Sequence, residues 1–129
     1  MRWIAGLAGL GLVLRLFYAW PLQERPFSDM QNDETMALNL LGGRGLTLDN
    51  GFVAYRAPGY PLFLAGVYRA AGYRGGDPAP WYPVVRAAQC LLGAVVVWLV
   101  GWAGVRLAGR TAGILAAGLA AFSRDLIFW

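Results

Sequence analysis

Residues 84–105 read VVRAAQCLLGAVVVWLVGWAGV, and the part from Cys90 to Gly104 carries no charged side chain. An α-helix needs about 20 mostly apolar residues to cross the hydrocarbon core of a bilayer, and this segment is long enough. A helix on the surface of a soluble protein shows a polar stripe along one side, which Leu91–Gly104 lacks. The segment therefore predicts a transmembrane helix rather than a buried hairpin of a soluble protein.

Two further apolar segments predict transmembrane helices, at residues 3–20, interrupted by Arg15, and at residues 111–129. The first resembles a signal peptide in length, but the bulky Phe17 and Trp20 stand where a cleavage site needs small residues. Composition agrees with a membrane protein, because only 14% of residues are charged, against roughly 25% in soluble domains. We predict an all-α membrane protein with three transmembrane helices.

The distribution of charge predicts the orientation of these helices. Arg106 and Arg110 lie in the short connection between the second and third apolar segments, and Arg2 precedes the first. Because basic residues remain on the cytoplasmic side, we expect these ends in the cytoplasm and residues 21–83 on the periplasmic or extracellular face. All acids but one lie in that external segment: Glu24, Asp29, Asp33, Glu34, Asp49 and Asp77. The scattered arginines are not the pattern of a nucleic-acid-binding surface.

The external segment carries three acids on a predicted amphipathic surface helix at residues 29–41. At about 100° per residue, Glu34 falls inside the apolar arc, Asp33 at its edge and Asn39 on the polar side. Such acids can simply complement the helix dipole. Alternatively, withdrawal of a carboxyl group from water raises its pKa and makes it more useful as a base. Asp29 is four residues before Asp33 and shares its side, so all three acids are catalytic candidates.

A second amphipathic surface helix is predicted at residues 61–71, opened by Pro61 and able to lie flat on a membrane. Arg56 precedes it, where a guanidinium beside the free N–H groups of a helix start suits a phosphate. The alternative is an exposed arginine that reaches lipid headgroups. Residues 52–55 are expected to form a short strand. No metal site is predicted, because the chain has no His and a single cysteine, Cys90.

Several short motifs follow one another along the chain: Leu14-Arg15-Leu16, Pro26-Phe27-Ser28-Asp29-Met30, Asp33-Glu34-Thr35, Gly43-Arg44-Gly45 and Ala54-Tyr55-Arg56-Ala57-Pro58-Gly59-Tyr60-Pro61. In combination, over residues 12–122, they resemble bacterial members of the protein O-mannosyltransferase-like superfamily (glycosyltransferase family 39-like, GT-C fold), which includes the lipid A aminoarabinose transferases. The chain departs from that pattern at Asn32, where many relatives carry Tyr, and at Ala57, where many carry Pro. Because members have many more spans, the resemblance implies the N-terminal part of a longer enzyme.

The resemblance implies an activity and a set of site residues. Such enzymes transfer a hexose or pentose from a polyprenyl-phosphate carrier, with inversion, to an acceptor on the outer face of the bacterial inner (plasma) membrane. Asp33 matches the acid that activates the acceptor, Glu34 lies beside it, and Asp29 matches a second acid. The substrate- or phosphate-binding candidates are Arg56, Tyr55 and Arg15. The expected partners are membrane lipid, the lipid-linked donor and the remaining helices of the enzyme, without a further cofactor, and the isolated chain is expected to be inactive.

Two other interpretations fit the same residues. In one, the chain is a non-catalytic scaffold or assembly subunit, whose acids and arginines pair with partner helices. In the other it is part of a transporter, with Arg15 and Asp125 lining a path, since charges inside a membrane are usually functional or paired. Acids on an external helix favour the enzyme, because transporters place their charged sites near the middle of the membrane.

Overall fold

The computed structural model describes residues 2–19, 29–53 and 57–123. The helices within these residues are α1 (Arg2–Ala19), α2 (Asp29–Leu41), α3 (Gly59–Ala70), a 3₁₀ turn (Ala79–Trp81) and α4 (Tyr82–Phe122). The predicted helical character is confirmed. Strand pairing in the described residues is limited to an isolated antiparallel bridge between Thr47 and Val53. A strand was predicted at 52–55. Residues 52 and 53 are described, and their strand pairing consists of the bridge at Val53.

The chain forms two compact units. The helical unit comprises Met1–Leu22 with Arg86–Trp129, and the loop unit comprises Gln23–Val85. Each unit has its own buried apolar cluster. The division follows the sequence pattern, because the apolar segments make up most of one unit and the acid-bearing segment makes up most of the other.

One helix among the described residues, Ala79–Phe122 with the turn included, is long and apolar enough to cross a membrane. Only 22% of its most apolar window is buried inside the protein. Exposed apolar side chains therefore cover most of its surface, Leu91, Leu92 and Val95 among them. A contiguous apolar surface of this kind is unfavourable in water and favourable in hydrocarbon, which supports association with a membrane.

Helix α4 is interrupted at Gly109, whose φ of 86° and ψ of 178° are not helical. A Cβ atom built on Gly101 would lie 2.9 Å from the Cβ of Ala117, whereas a straight helix would separate these residues by about 24 Å. The chain therefore folds back at Gly109, and two arms, 82–108 and 110–122, pack side by side. The connection predicted at 106–110 is thus a single non-helical residue, and its positive φ suits glycine. The second arm, as described, is about 20 Å long.

Small side chains allow close packing inside the helical unit. Its buried cluster consists of Ala8, Val97, Ala117, Ala120 and Ala121, with Leu7 against it. Alanine and glycine at helix contacts let backbones approach closely, which is the usual way helices associate in lipid. Val97 is fully buried, so it fills the space between these small residues.

In the loop unit, α2 packs against α3. Their shared cluster consists of Ala37, Leu64, Ala65, Tyr68 and Val85. Helix α3 begins at Gly59, two residues before the predicted start. Pro61 therefore lies in the first turn, where backbone N–H groups have no acceptor within the helix and the missing N–H of proline costs no hydrogen bond. The side of α3 that was expected to lie on a membrane is thus largely buried within the loop unit. The sequence pattern predicted the apolar side of α3 correctly, and the structure shows that this side packs against α2.

Candidate functional site

A buried carboxylate, that of Glu34, connects three elements of the loop unit. The Tyr68 hydroxyl of α3 donates a hydrogen bond of 2.6 Å to its Oε1 atom, and the Tyr82 hydroxyl donates one of 3.3 Å to Oε2. Glu34 is 9% exposed and lies on α2, while Tyr82 is the first residue of α4. Both carboxylate oxygens are therefore engaged, and the carboxylate is held in one orientation.

Two tyrosines near Glu34, Tyr68 and Tyr73, have a raised pKa. Burial, together with the hydrogen bond to Glu34, raises the pKa of Tyr68 well above its ordinary value of 10.0. Burial and the Glu34 charge also raise the pKa of Tyr73, whose ring centroid lies 5.3 Å from that of Tyr68. A neutral phenol is a donor, so the raised pKa of Tyr68 maintains its hydrogen bond to Glu34, whereas the Tyr73 hydroxyl donates to the Gly76 carbonyl at 2.8 Å.

This arrangement predicts a loss of stability at alkaline pH. Since the pKa of Tyr68 is raised in the folded state, its contribution is complete below about pH 10 and is lost as the pH rises through the higher folded value. The free energy of unfolding of the loop unit should therefore fall above about pH 10, and fall less steeply in Tyr68→Phe. Denaturant titrations followed by near-ultraviolet circular dichroism measure this slope. Tyr18→Phe, at an exposed position in the helical unit, is the control, and equal slopes for Tyr68→Phe and the original protein would contradict the assignment.

The other two predicted catalytic acids occupy different environments. Asp33 is 5% exposed and lies beside Glu34 on the buried side of α2, as its predicted position at the edge of the apolar arc requires. Asp29 is exposed in the first turn of the same helix. The structure therefore brings Asp33 and Glu34 together in the interior and leaves Asp29 at the surface. In the described parts of the chain, no group of three or more His, Cys, Asp or Glu side chains is placed to hold a metal ion.

Asn39 was predicted on the side of α2 away from the apolar arc, and the structure shows that this position is buried. It is 3% exposed, and its Nδ2 atom donates to the Thr47 carbonyl oxygen at 2.7 Å and to Asp49 Oδ1 at 3.3 Å. The turn-rich segment after α2 folds back over this side of the helix, which helical periodicity alone does not reveal. Asn39 thereby fixes the turn to the helix that carries the acids.

Arg15 was predicted to bind substrate or phosphate, and it lies in the interior of the helical unit. Arg15 is 2% exposed, and its guanidinium donates to the Gly11 carbonyl at 3.0 Å and to the Ala120 carbonyl at 3.2 Å. Ala120 is in the last turn of α4, where carbonyl groups lack intrahelical donors and carry partial negative charge. A Cβ atom on Gly93 would lie 2.7 Å from Arg15 Nε, so glycine makes room for the side chain. These contacts give Arg15 a structural role in holding α1 to the end of α4.

Two predicted binding residues, Tyr55 and Arg56, lie outside the described residues, as do Arg124 and Asp125. Their predicted roles stay predictions. Conversely, Tyr68 and Tyr82 were not recognised as partners of Glu34. A signal for the first was present, because a tyrosine on the buried side of a helix needs an acceptor for its hydroxyl.

No protein-family model, curated protein or solved structure matches this chain. Membership of the glycosyltransferase superfamily that the motifs resemble therefore stays a prediction.

Proposed function

We propose that this chain is part of a GT-C-type membrane glycosyltransferase that transfers a sugar from a polyprenyl-phosphate donor to an acceptor on the non-cytoplasmic face. The observation that carries the proposal is the buried pair Asp33 and Glu34, with Glu34 oriented by two tyrosine hydroxyls. One of these hydroxyls belongs to Tyr82, the first residue of the helix that is able to cross a membrane. A pair of acids anchored at such a helix end suits chemistry at the lipid–water boundary.

In this proposal α1 and the two arms of α4 belong to the first three spans, and the loop unit is external. This orientation follows from the basic residues near the opposite ends, Arg2, Arg106 and Arg110. The other apolar faces of the helical unit would contact lipid or the remaining helices of the enzyme.

Asp33 is assigned as the general base. It accepts the proton of the acceptor hydroxyl while the acceptor oxygen bonds to the anomeric carbon from the face opposite the phosphate. The bond between the anomeric carbon and the phosphate oxygen breaks, and the polyprenyl phosphate leaves with the electron pair. Arg56 is assigned to that departing phosphate. We do not assign this role to Arg15, because its guanidinium is buried on backbone carbonyls.

Glu34 is assigned a positioning role. Both of its oxygens accept tyrosine hydroxyl hydrogen bonds, which fixes the turn of α2 on which Asp33 stands. Precise orientation of a base matters, because reactivity falls steeply when reacting groups are misplaced by about 1 Å. Asp29, on the exposed first turn, remains the second acid that could contact the acceptor.

The donor class is tested with the protein of the complete reading frame in proteoliposomes. Radiolabelled hexosyl and pentosyl polyprenyl phosphates are supplied in parallel with the matching nucleotide sugars. We expect label to pass from a lipid-linked donor and not directly from a nucleotide sugar, with inverted configuration at the anomeric carbon. Transfer that retains the configuration, or no transfer from either lipid-linked donor class, would refute the proposed reaction.

A non-catalytic assembly subunit is the second candidate, favoured by one observation. The helical unit leaves large apolar side chains strongly exposed, including Phe17, Leu107 and Leu119. Partner helices would cover these in a complex of several membrane proteins. Co-purification of the chain with a defined membrane complex, combined with absence of transfer in the assay above, would favour this candidate over the enzyme.

A further inference from the structure

A cavity of about 350 Å³ opens in the helical unit, between the start of α1 and the residues around the bend of α4. It is lined by Arg2, Trp3 and Ile4 of α1 and by Trp102, Val105 and Arg110 from the two arms of α4. All of these residues belong to the same compact unit. Its volume is within the ordinary range for small-ligand sites, of roughly 300–1,000 Å³.

The cavity combines cationic and apolar walls. Arg110 stands over the Trp3 ring, with its guanidinium carbon 5.4 Å from the ring centroid. Just outside, Arg106 stands over the Trp102 ring at 5.2 Å. These cation–π contacts hold the indoles and guanidiniums in place. Ile4 is buried in the wall, so the ligand that fits has an anionic end and an apolar end.

We propose that this cavity binds the headgroup of an anionic phospholipid. Arg2 and Arg110 donate to the phosphate oxygens, for which planar guanidiniums are well suited. The two indoles and the aliphatic wall contact the glycerol and the first methylenes of the acyl chains. Free phosphate would accept hydrogen bonds from the arginines but would leave the apolar wall of the cavity exposed to water.

The place of the cavity in the fold supports a lipid ligand. It lies at the ends of apolar helices, next to the Gly109 bend, and tryptophan and arginine are characteristic of the depth at which lipid headgroups lie. Basic pockets between membrane helices on the cytoplasmic side are typical sites for anionic headgroups. The inference rests on membrane insertion, which the proposed function shares, and is independent of sugar transfer.

Binding is measured by native mass spectrometry and thermal unfolding of the full chain in a neutral detergent. The probes are dioleoyl phosphatidylglycerol, dioleoyl phosphatidylcholine, glycerol phosphate and inorganic phosphate. We expect saturable retention of phosphatidylglycerol and a raised Tm, with the zwitterionic lipid and both soluble phosphates at least tenfold weaker. The double variant Arg2→Gln/Arg110→Gln should lower the affinity about tenfold for each charge removed.

The matched control is Arg69→Gln/Arg74→Gln, which removes the same charge from exposed positions in the loop unit. It should bind phosphatidylglycerol as the original chain does, and an equal loss of affinity in both double variants would overturn the proposal in favour of general charge attraction. Equal affinity for phosphatidylcholine, or for inorganic phosphate, would overturn it as well. Should the glutamine pair fail to fold, Arg2→Lys/Arg110→Lys tests the same point, because loss of the planar guanidinium should weaken binding and unchanged affinity would count against the site.

The outcome is separable from that of the sugar-transfer assay, because no sugar donor is present. Retention of phosphatidylglycerol by a protein that transfers no sugar would leave the lipid site in place and remove only the enzyme. Transfer without lipid retention would do the reverse.

Discussion

Asp33→Asn in the protein of the complete reading frame is expected to lower the rate of sugar transfer by about 100- to 10,000-fold, the usual contribution of a general base. Asparagine has nearly the same shape and cannot accept the acceptor proton. Because Asp33 is buried beside Glu34, a catalytic effect must be separated from a structural one. The fall should therefore appear in kcat, with donor KM nearly unchanged.

The neighbouring acids supply the controls for this prediction. Asp29→Asn changes an exposed acid on the same helix and should have a much smaller effect if Asp33 is the base. Glu34→Gln keeps the side-chain shape, but its amide can accept from only one of the two tyrosines. Glu34→Gln should slow sugar transfer and also lower the free energy of unfolding of the loop unit in denaturant titrations. Asp33→Asn with activity near that of the original protein would eliminate it as the base.

Gly113→Ala is expected to destabilise the helical hairpin by about 1–3 kcal/mol, the range for overpacked sites. The new Cβ atom would lie 2.7 Å from the Gly101 carbonyl oxygen and 2.8 Å from the Val105 backbone nitrogen, and it would also overlap the Val105 side chain. Backbone atoms cannot rotate away as a side chain can, so the two arms of α4 must separate. The effect is large because the contact lies where the arms pack most closely.

Gly118→Ala is the matched control, because it is the same substitution on the same arm. A Cβ atom there meets nothing within 4 Å, and alanine favours a helix over glycine by up to about 1 kcal/mol. Stability is measured by titration with sodium dodecyl sulfate in mixed micelles, followed by far-ultraviolet circular dichroism. Similar midpoints for the two variants would contradict the close packing of the two arms at Gly113.

The elements of the loop unit show what local pattern predicts well. Helix α2 spans Asp29–Leu41, as predicted, because an apolar arc precedes a pair of glycines that ends it. Helix α3 was predicted at 61–71 and runs over Gly59–Ala70, so its centre was correct and its ends were off by one or two residues. Periodicity and helix-end residues act over one or two turns, and a sequence displays them directly.

The site was predicted less completely than the elements. Asp33 and Glu34 were placed on the buried side of α2 from periodicity alone, and both are buried. The partners of Glu34 could not be predicted, since Tyr68 and Tyr82 are 34 and 48 residues away in sequence. The burial of Asn39 could not be predicted either, because the turn that covers it comes from later in the chain.

The amino-acid sequence by itself determined that this chain is helical, that it contains an apolar segment of membrane-spanning length, and that its acids are concentrated in residues 21–83. Tertiary structure alone decided that α4 folds back at Gly109, that Arg15 donates a hydrogen bond to the Ala120 carbonyl, and that two tyrosines orient Glu34. The physical reason is the distance along the chain over which each effect acts. Helix formation and partition into lipid depend on neighbouring residues, whereas these hydrogen bonds and close contacts exist only after distant segments have packed together.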